Sequence, residues 1–238
     1  MNNAQITYDV PMGVLNAGID ELENSPLGWS WEGTYRQLPE EINPREIENF
    51  ISASDENTGV TVSTNLAVAD WIDPGRESAD YPVLQGILLS SHKSCHHLGN
   101  WYHQTGSHHF RFTLTSHKPG WKNGYHFGVE GNHPLYSVLI DKSQSGTLPE
   151  ELSFVSTSSP FVKITALKKS ESGNSLILRM VEMEGVDKQV ELKFYFPIKS
   201  LYKTNIIEEE PEDAGMKGKV LKIDIGKNAI ETFRIDLQ

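Results

Sequence analysis

Apolar and polar residues alternate singly over much of this chain. Val190, Leu192 and Phe194 alternate with Gln189, Glu191 and Lys193, which on a pleated strand sends three apolar side chains to one face and three polar ones to the other. The same pattern sets Leu221, Ile223 and Ile225 against Lys222 and Asp224, Phe233, Ile235 and Leu237 against Arg234 and Asp236, and Phe110, Phe112 and Leu114 against His109, Arg111 and Thr113. Each run predicts a half-buried strand. Gly226-Lys227-Asn228 separates the last two strands of the chain, and so compact a turn predicts that they form a hairpin. Helical signals are scarce. Asn43 as N-cap, Pro44 at the first helical position and Glu46 behind them predict a short helix running through Phe50. Short strands punctuated by Gly, Pro and Asn make this an all-β chain of antiparallel sandwiches.

The polar stretch from Asp141 to Gly146, DKSQSG, lies between two apolar strands and marks a boundary near residue 146, dividing the chain into 1–146 and 147–238. No internal repeat is visible. The 238 residues suffice for one large β-domain or two smaller ones, each with its own core.

Charge narrows the partners. Against 21 basic side chains stand 32 acidic ones, a net charge of −11, which argues against a nucleic-acid partner because that would need a basic patch to displace phosphate counterions. No apolar stretch is long enough to span a bilayer, so no membrane partner is expected and the chain reads as soluble. The opening MNNAQITYDV has neither a basic start nor an apolar run and is not expected to be a signal peptide. Cys95 is the single cysteine, which excludes a disulfide within the chain and leaves the compartment open.

Histidine is the main anomaly. All nine fall between His92 and His133, and His92, Cys95, His96, His97, His103, His108 and His109 crowd into eighteen positions together with Trp101 and Tyr102. Imidazole and thiolate are good zinc ligands, but the paired spacing of a structural zinc site is missing and the cluster holds no carboxylate. On a strand His108 and His109 would face opposite sides. No metal site is therefore expected here, and the segment reads as a polar, aromatic loop between strands. Cys95 beside His96 and His97 does not make a thiolate pair, because adjacent side chains seldom orient toward each other. Glu130, Asp70 and Asp73 belong to no motif, so no catalytic residue is expected. The acidic run from Glu208 to Asp213 reads as a solvated, self-repelling loop. Among Trp29, Trp31, Trp71, Trp101 and Trp121, any could be buried or could offer a stacking platform; Trp29 and Trp31 would share one face of a strand.

Residues 148–182, LPEELSFVSTSSPFVKITALKKSESGNSLILRMVE, followed by YKTNIIEEE at 202–210 and a closing strand pair around Ile223 and Phe233, resemble the last β-domain of glycoside hydrolase family 38, the zinc-dependent α-mannosidases. YDVPMG at 8–13, SASDENTGVTVSTN at 52–65 and GSHHFRFTL at 106–114 are similar, in the same order, to the region preceding that domain. The resemblance implies an antiparallel β-supersandwich over 1–146 and a smaller immunoglobulin-like sandwich over 147–238. It implies a carboxy-terminal part, inactive alone, of an enzyme that hydrolyses terminal α-mannosidic bonds with retention, whose zinc and nucleophile belong to an amino-terminal catalytic domain. No cofactor is then expected in this chain itself. The implied partners are that catalytic domain, a mannose-containing carbohydrate and, as in many members, a second copy of the chain. In the family a loop after a basic dipeptide reaches the cleft; LLSSHKSCHH at 88–97 occupies the corresponding place, with His92-Lys93 where many relatives have Arg-Arg. Lysine lacks arginine's bidentate fork. On this resemblance Lys93, His97, Trp101 and Tyr102 are the candidate cleft residues. The alternative reading is a stand-alone carbohydrate-binding β-sandwich that uses its tryptophans as platforms.

Overall fold

The computed structural model describes residues 4–17, 20, 45–72, 83–89, 91–93, 100–142, 145–171, 173–215 and 219–238, excluding the side chains at 70–72 and 92–93. Among these, strands dominate. The first ten are β1 (Gln5–Val10), β2 (Gly13–Asn16), β3 (Arg45–Glu46), β4 (Phe50–Ser54), β5 (Gly59–Thr64), β6 (Val68–Ile72), β7 (Val83–Gly86), β8 (His92–Lys93), β9 (Trp101–Tyr102) and β10 (Phe112–His117). A 3-10 turn, Trp121–Asn123, leads into the short helix α1 (Tyr125–Glu130). Then come β11 (Val155–Thr157), β12 (Val162–Lys169), β13 (Leu176–Glu182), β14 (Lys188–Phe194), β15 (Ile198–Thr204), β16 (Glu212–Asp213), β17 (Val220–Ile225) and β18 (Ile230–Leu237). The chain divides into two compact units, Met1–Pro11 with Leu15–Tyr136, and Met12–Val14 with Ser137–Gln238.

One five-stranded sheet has the order β10-β5-β4-β1-β2, and the first unit holds it from β10 to β1, where each neighbouring pair is antiparallel. Its register aligns Leu114, Val62, Ile51 and Tyr8 in one row, and Thr115, Thr61, Ser52 and Thr7 in the next. Since side chains alternate across a sheet, the first row belongs to an apolar face and the second to a hydroxyl-rich one. On the apolar side Ile6, Tyr8, Ile51 and Ala53 pack with Ile47 and Ala69, next to a smaller sheet in the order β3-β6-β7. The helix α1 lies on the hydroxyl side, and three glycines let it approach. A Cβ at Gly124 would come 2.2 Å from Thr61 Oγ1, at Gly128 2.5 Å from the Phe50 ring, and at Gly131 2.3 Å from Ser63 Oγ. The Ser63 hydroxyl donates to the Gly128 carbonyl at 2.7 Å.

One buried carboxylate organises this unit. Asp9, with no exposed surface, accepts the backbone N–H groups of Asn49 and Phe50 at 2.7 and 2.8 Å and the Asn49 side-chain amide at 2.7 Å. Burial pushes its carboxyl above the ordinary value, the hydrogen bonds from Asn49 and Phe50 offset this only in part, and Glu48 adds to the rise.

The first unit departs from the sequence pattern at two places. The predicted helix from Asn43 to Phe50 has its first residues outside the described set, but Arg45–Glu46 is strand, paired with Val68 and Ala69, and Phe50 begins β4. Cross-strand pairing and the carboxylate of Asp9, which claims the N–H groups of Asn49 and Phe50, override the local capping signal. The strand expected from His109 begins only at Phe112, and its apolar side is not half-buried: Phe112 and Leu114 are 44% and 69% exposed.

The second unit pairs a sheet of order β11-β14-β17 with one of order β12-β13-β18-β15-β16. Val190, Leu192 and Phe194 face inward as the alternation predicts, and meet Leu178, Met180, Leu221, Phe233 and Ile235 in one core. The predicted hairpin of the last two strands does not form. β17 pairs with β14 and β18 with β13 and β15, so Gly226–Asn228 carries the chain from one sheet to the other. The reason lies in the turn's partners. Asn228, in the left-handed region at φ 52, donates its backbone N–H to Glu182 Oε2 at 3.1 Å, and Lys227 donates to Asp187 Oδ1 at 2.8 Å. Two carboxylates, Glu182 at the end of β13 and Asp187 in the β13–β14 connection, thus hold the turn as a crossover.

The acidic run is also not simply a solvated loop. Glu208, at φ 70, turns back to Lys168 at 2.7 Å and to Arg179 at 3.6 Å. Glu212 pairs in register with Lys203 across β15 and β16.

Candidate functional site

Strands β8 and β9 form a two-stranded antiparallel ribbon, His92 opposite Tyr102 and Lys93 opposite Trp101. The backbone of Lys93 is thereby brought beside Trp101, while its side chain, and the whole of His97, lie outside the described residues. Trp101 and Tyr102 are 58% and 56% exposed. The indole of Trp101 stacks on the imidazole of His103, ring centroids 5.5 Å apart and planes 18° from parallel. Such a stack holds an amphipathic ring in a defined orientation at the surface.

The loop beyond the ribbon is pinned at both ends. The Gln104 N–H donates to the Ser91 hydroxyl at 3.1 Å. His108 Nε2 donates to the Gln104 carbonyl at 3.1 Å, and its ring stacks on Phe110 at 6.2 Å. Asn65, just past β5, accepts the Arg111 N–H at 2.8 Å and donates its amide to the His109 carbonyl at 3.2 Å. These contacts present a strip of exposed rings, Trp101, Tyr102, His103, His108 and Phe110, on backbone fixed from three sides.

Two further histidines, His117 and His133, serve the fold. His117 Nδ1 donates to the Lys118 carbonyl at 2.8 Å, Nε2 lies 2.9 Å from Thr61 Oγ1, and the ring fills the space left by Gly59 and Gly124. His133 Nδ1 donates to the Val129 carbonyl at the end of α1. Among the described residues no three His, Cys, Asp or Glu side chains come together as a set of metal ligands; Cys95 and His96 lie outside them. Of the tryptophans, Trp121 meets Tyr125 edge to face at 5.9 Å, whereas Trp29, Trp31 and the side chain of Trp71 lie outside the described set.

Sequence reasoning missed α1 and its glycine face. The signal was there: Gly124, Gly128 and Gly131 recur at helical spacing, and they meet Thr61 and Ser63 of β5 and Phe50 of β4.

Residues 162–233 match the family described as "Glycosyl hydrolases family 38 C-terminal beta sandwich domain". This part of the chain is a family 38 C-terminal β-sandwich domain. Two solved structures from Enterococcus faecalis share the fold of this chain over nearly its whole length. An alpha-mannosidase from strain V583 aligns over 99% of this chain with a TM-score of 0.66 and 17% identity. A protein in the glycosyl hydrolase family 38 aligns over 99% with a TM-score of 0.64 and 19% identity. The chain spans 24% and 25% of the length of these two structures. No curated protein matches it. No described helix is long and apolar enough to cross a membrane.

Proposed function

We propose that this chain is the carboxy-terminal, non-catalytic part of an α-mannosidase-like glycoside hydrolase, which supports the catalytic region and shapes its cleft with the β8–β9 ribbon. The observation that carries the reading is the family 38 match over 162–233, joined to an alignment that takes up nearly all of this chain and only a quarter of each of the two neighbours, one an alpha-mannosidase and the other a protein in the glycosyl hydrolase family 38. The parent reaction is retaining hydrolysis of α-mannosides. Its zinc and nucleophile belong to the portion outside this chain. Lys93, His97, Trp101 and Tyr102 are the proposed cleft residues, with Trp101 supplying an apolar ring face for a sugar and Lys93 a cation.

The test is hydrolysis of an aryl α-mannoside. The isolated chain should show no turnover with or without added zinc, and a polypeptide joining it to a family 38 catalytic region of its own source should show turnover. Activity of the isolated chain, or inactivity of the joined one on every α-mannoside, would overturn the reading. The exposed Trp101–His103 stack favours the second reading, a carbohydrate-binding module; saturable binding of mannan by the isolated chain, with no dependence of any hydrolase on it, would establish that instead.

A further inference from the structure

Strand β10 is the outer strand of the five-stranded sheet and pairs only with β5 among the described residues. Native proteins blunt such edges with proline, bulges or charged side chains, because a bare edge is a template for another strand. The sequence of β10, FTLTSH, has no proline, no lysine and no carboxylate, and its register with β5 runs unbroken from Phe112 to His117. Its apolar side is also uncovered. Phe112 and Leu114 border an open groove of about 220 Å³ whose other apolar walls include Ile51, Val62 and Leu84. Ile51 belongs to the unit's core, and Val62 and Leu84 pack against it. The core therefore reaches the surface along an unprotected sheet edge.

We propose that β10 is a docking edge, along which one strand of the parent hydrolase's catalytic portion adds to the sheet as a sixth strand. This rests on the reading of the chain as part of an α-mannosidase-like enzyme. The occupant is argued from length: about three quarters of each matched family 38 chain has no counterpart in this protein, so the material to cover the groove exists there. The geometry specifies the incoming strand. It lies about 4.8 Å from β10. Its alternate side chains on the groove side are apolar and extend the row of Phe112 and Leu114; those on the other side continue the row of Thr113 and Thr115 and are small or polar.

The experiment uses the joined polypeptide, with a specific protease site ahead of residue 1, cleaved and then resolved by gel filtration. The wild-type chain should stay bound after cleavage, and the outward amides of β10 should be protected from hydrogen exchange compared with the chain alone. Leu114→Lys and Phe112→Lys should weaken retention about tenfold or more, while Val186→Lys, at an exposed apolar position of the second unit, should not. The isolated Leu114→Lys chain should melt within a few degrees of wild type, because the position is already exposed. Retention of both edge variants at wild-type strength, equal release by Val186→Lys, or unchanged exchange of β10 on docking would each overturn the proposal. Release of the wild-type chain would overturn it too, and hydrolysis by the uncleaved polypeptide would show that the functional reading survives.

Discussion

Lys188 Nζ stands 2.9 Å from Glu182 Oε1, a carboxylate with no exposed surface. The same oxygen accepts the Glu184 N–H, and Oε2 accepts those of Gly185, Val186 and Asn228. One side chain thus closes the β13–β14 turn and anchors the crossover between the two sheets.

Replacing Glu182 by Gln should cost about 3 kcal/mol of unfolding free energy, read from urea titration. An amide has one acceptor oxygen and would present N–H groups to backbone N–H groups, and Lys188 would lose its buried counter-charge. A loss below about 0.5 kcal/mol, the range of ordinary surface changes, would show that the node is dispensable.

Acid titration should separate two carboxylates of opposite sign. For Glu182, burial raises the pKa, but the hydrogen bond from Lys188 and those from Asn228, Glu184 and Val186 outweigh it, so the carboxyl stays below its ordinary value. Its contribution is present above the unfolded pKa and is lost as pH falls through the folded one. Asp9 is raised, so its contribution is full below the unfolded pKa and is lost as pH rises through the folded one. Glu182→Gln should flatten the acid side of the stability curve, and Asp9→Asn should remove the decline on going from acid toward neutral pH. Urea midpoints measured across that range check both.

Gly128→Ala should destabilise by about 2 kcal/mol, as overpacking does, because the new Cβ falls 2.5 Å from the ring of the fully buried Phe50. Gly146→Ala, where nothing lies within 4 Å, is the matched control. Thermal melting of the pair compares them directly.

In the joined enzyme, Trp101→Ala and Lys93→Ala should lower turnover of mannosides while leaving the melting temperature nearly unchanged. Trp101 is more than half exposed and contributes little to the core. A stability loss with unaltered kinetics would move these residues from the cleft to the scaffold.

The strands of the second unit were legible because their alternation has one meaning: Val190, Leu192 and Phe194 can be satisfied only by facing inward together. Their partners were not legible. The run from Leu221 to Ile225 and the run from Phe233 to Leu237 suit a hairpin as well as a crossover, and the choice is made by Glu182 and Asp187, some forty residues away. The family was legible from 148–182 onward, since ordered motifs carry information that periodicity does not. The candidate ribbon was legible as a loop rich in rings. Its pairing of Lys93 with Trp101, and the hold of Asn65 on Arg111, depend on long-range register that no local pattern encodes.

The second unit also recruits Met12–Val14: Val14 donates its N–H to the Met183 carbonyl at 3.1 Å, and the Asn228 side chain donates to the Met12 carbonyl at 2.9 Å across 216 residues. On a ribosome adding about 5–20 residues per second, Met12 waits on the order of 10–40 s for the residue that completes its site. Until then the sheet crossover has no second strand to deliver, so nascent chains ending before β18 are the ones most exposed to chaperones and proteases.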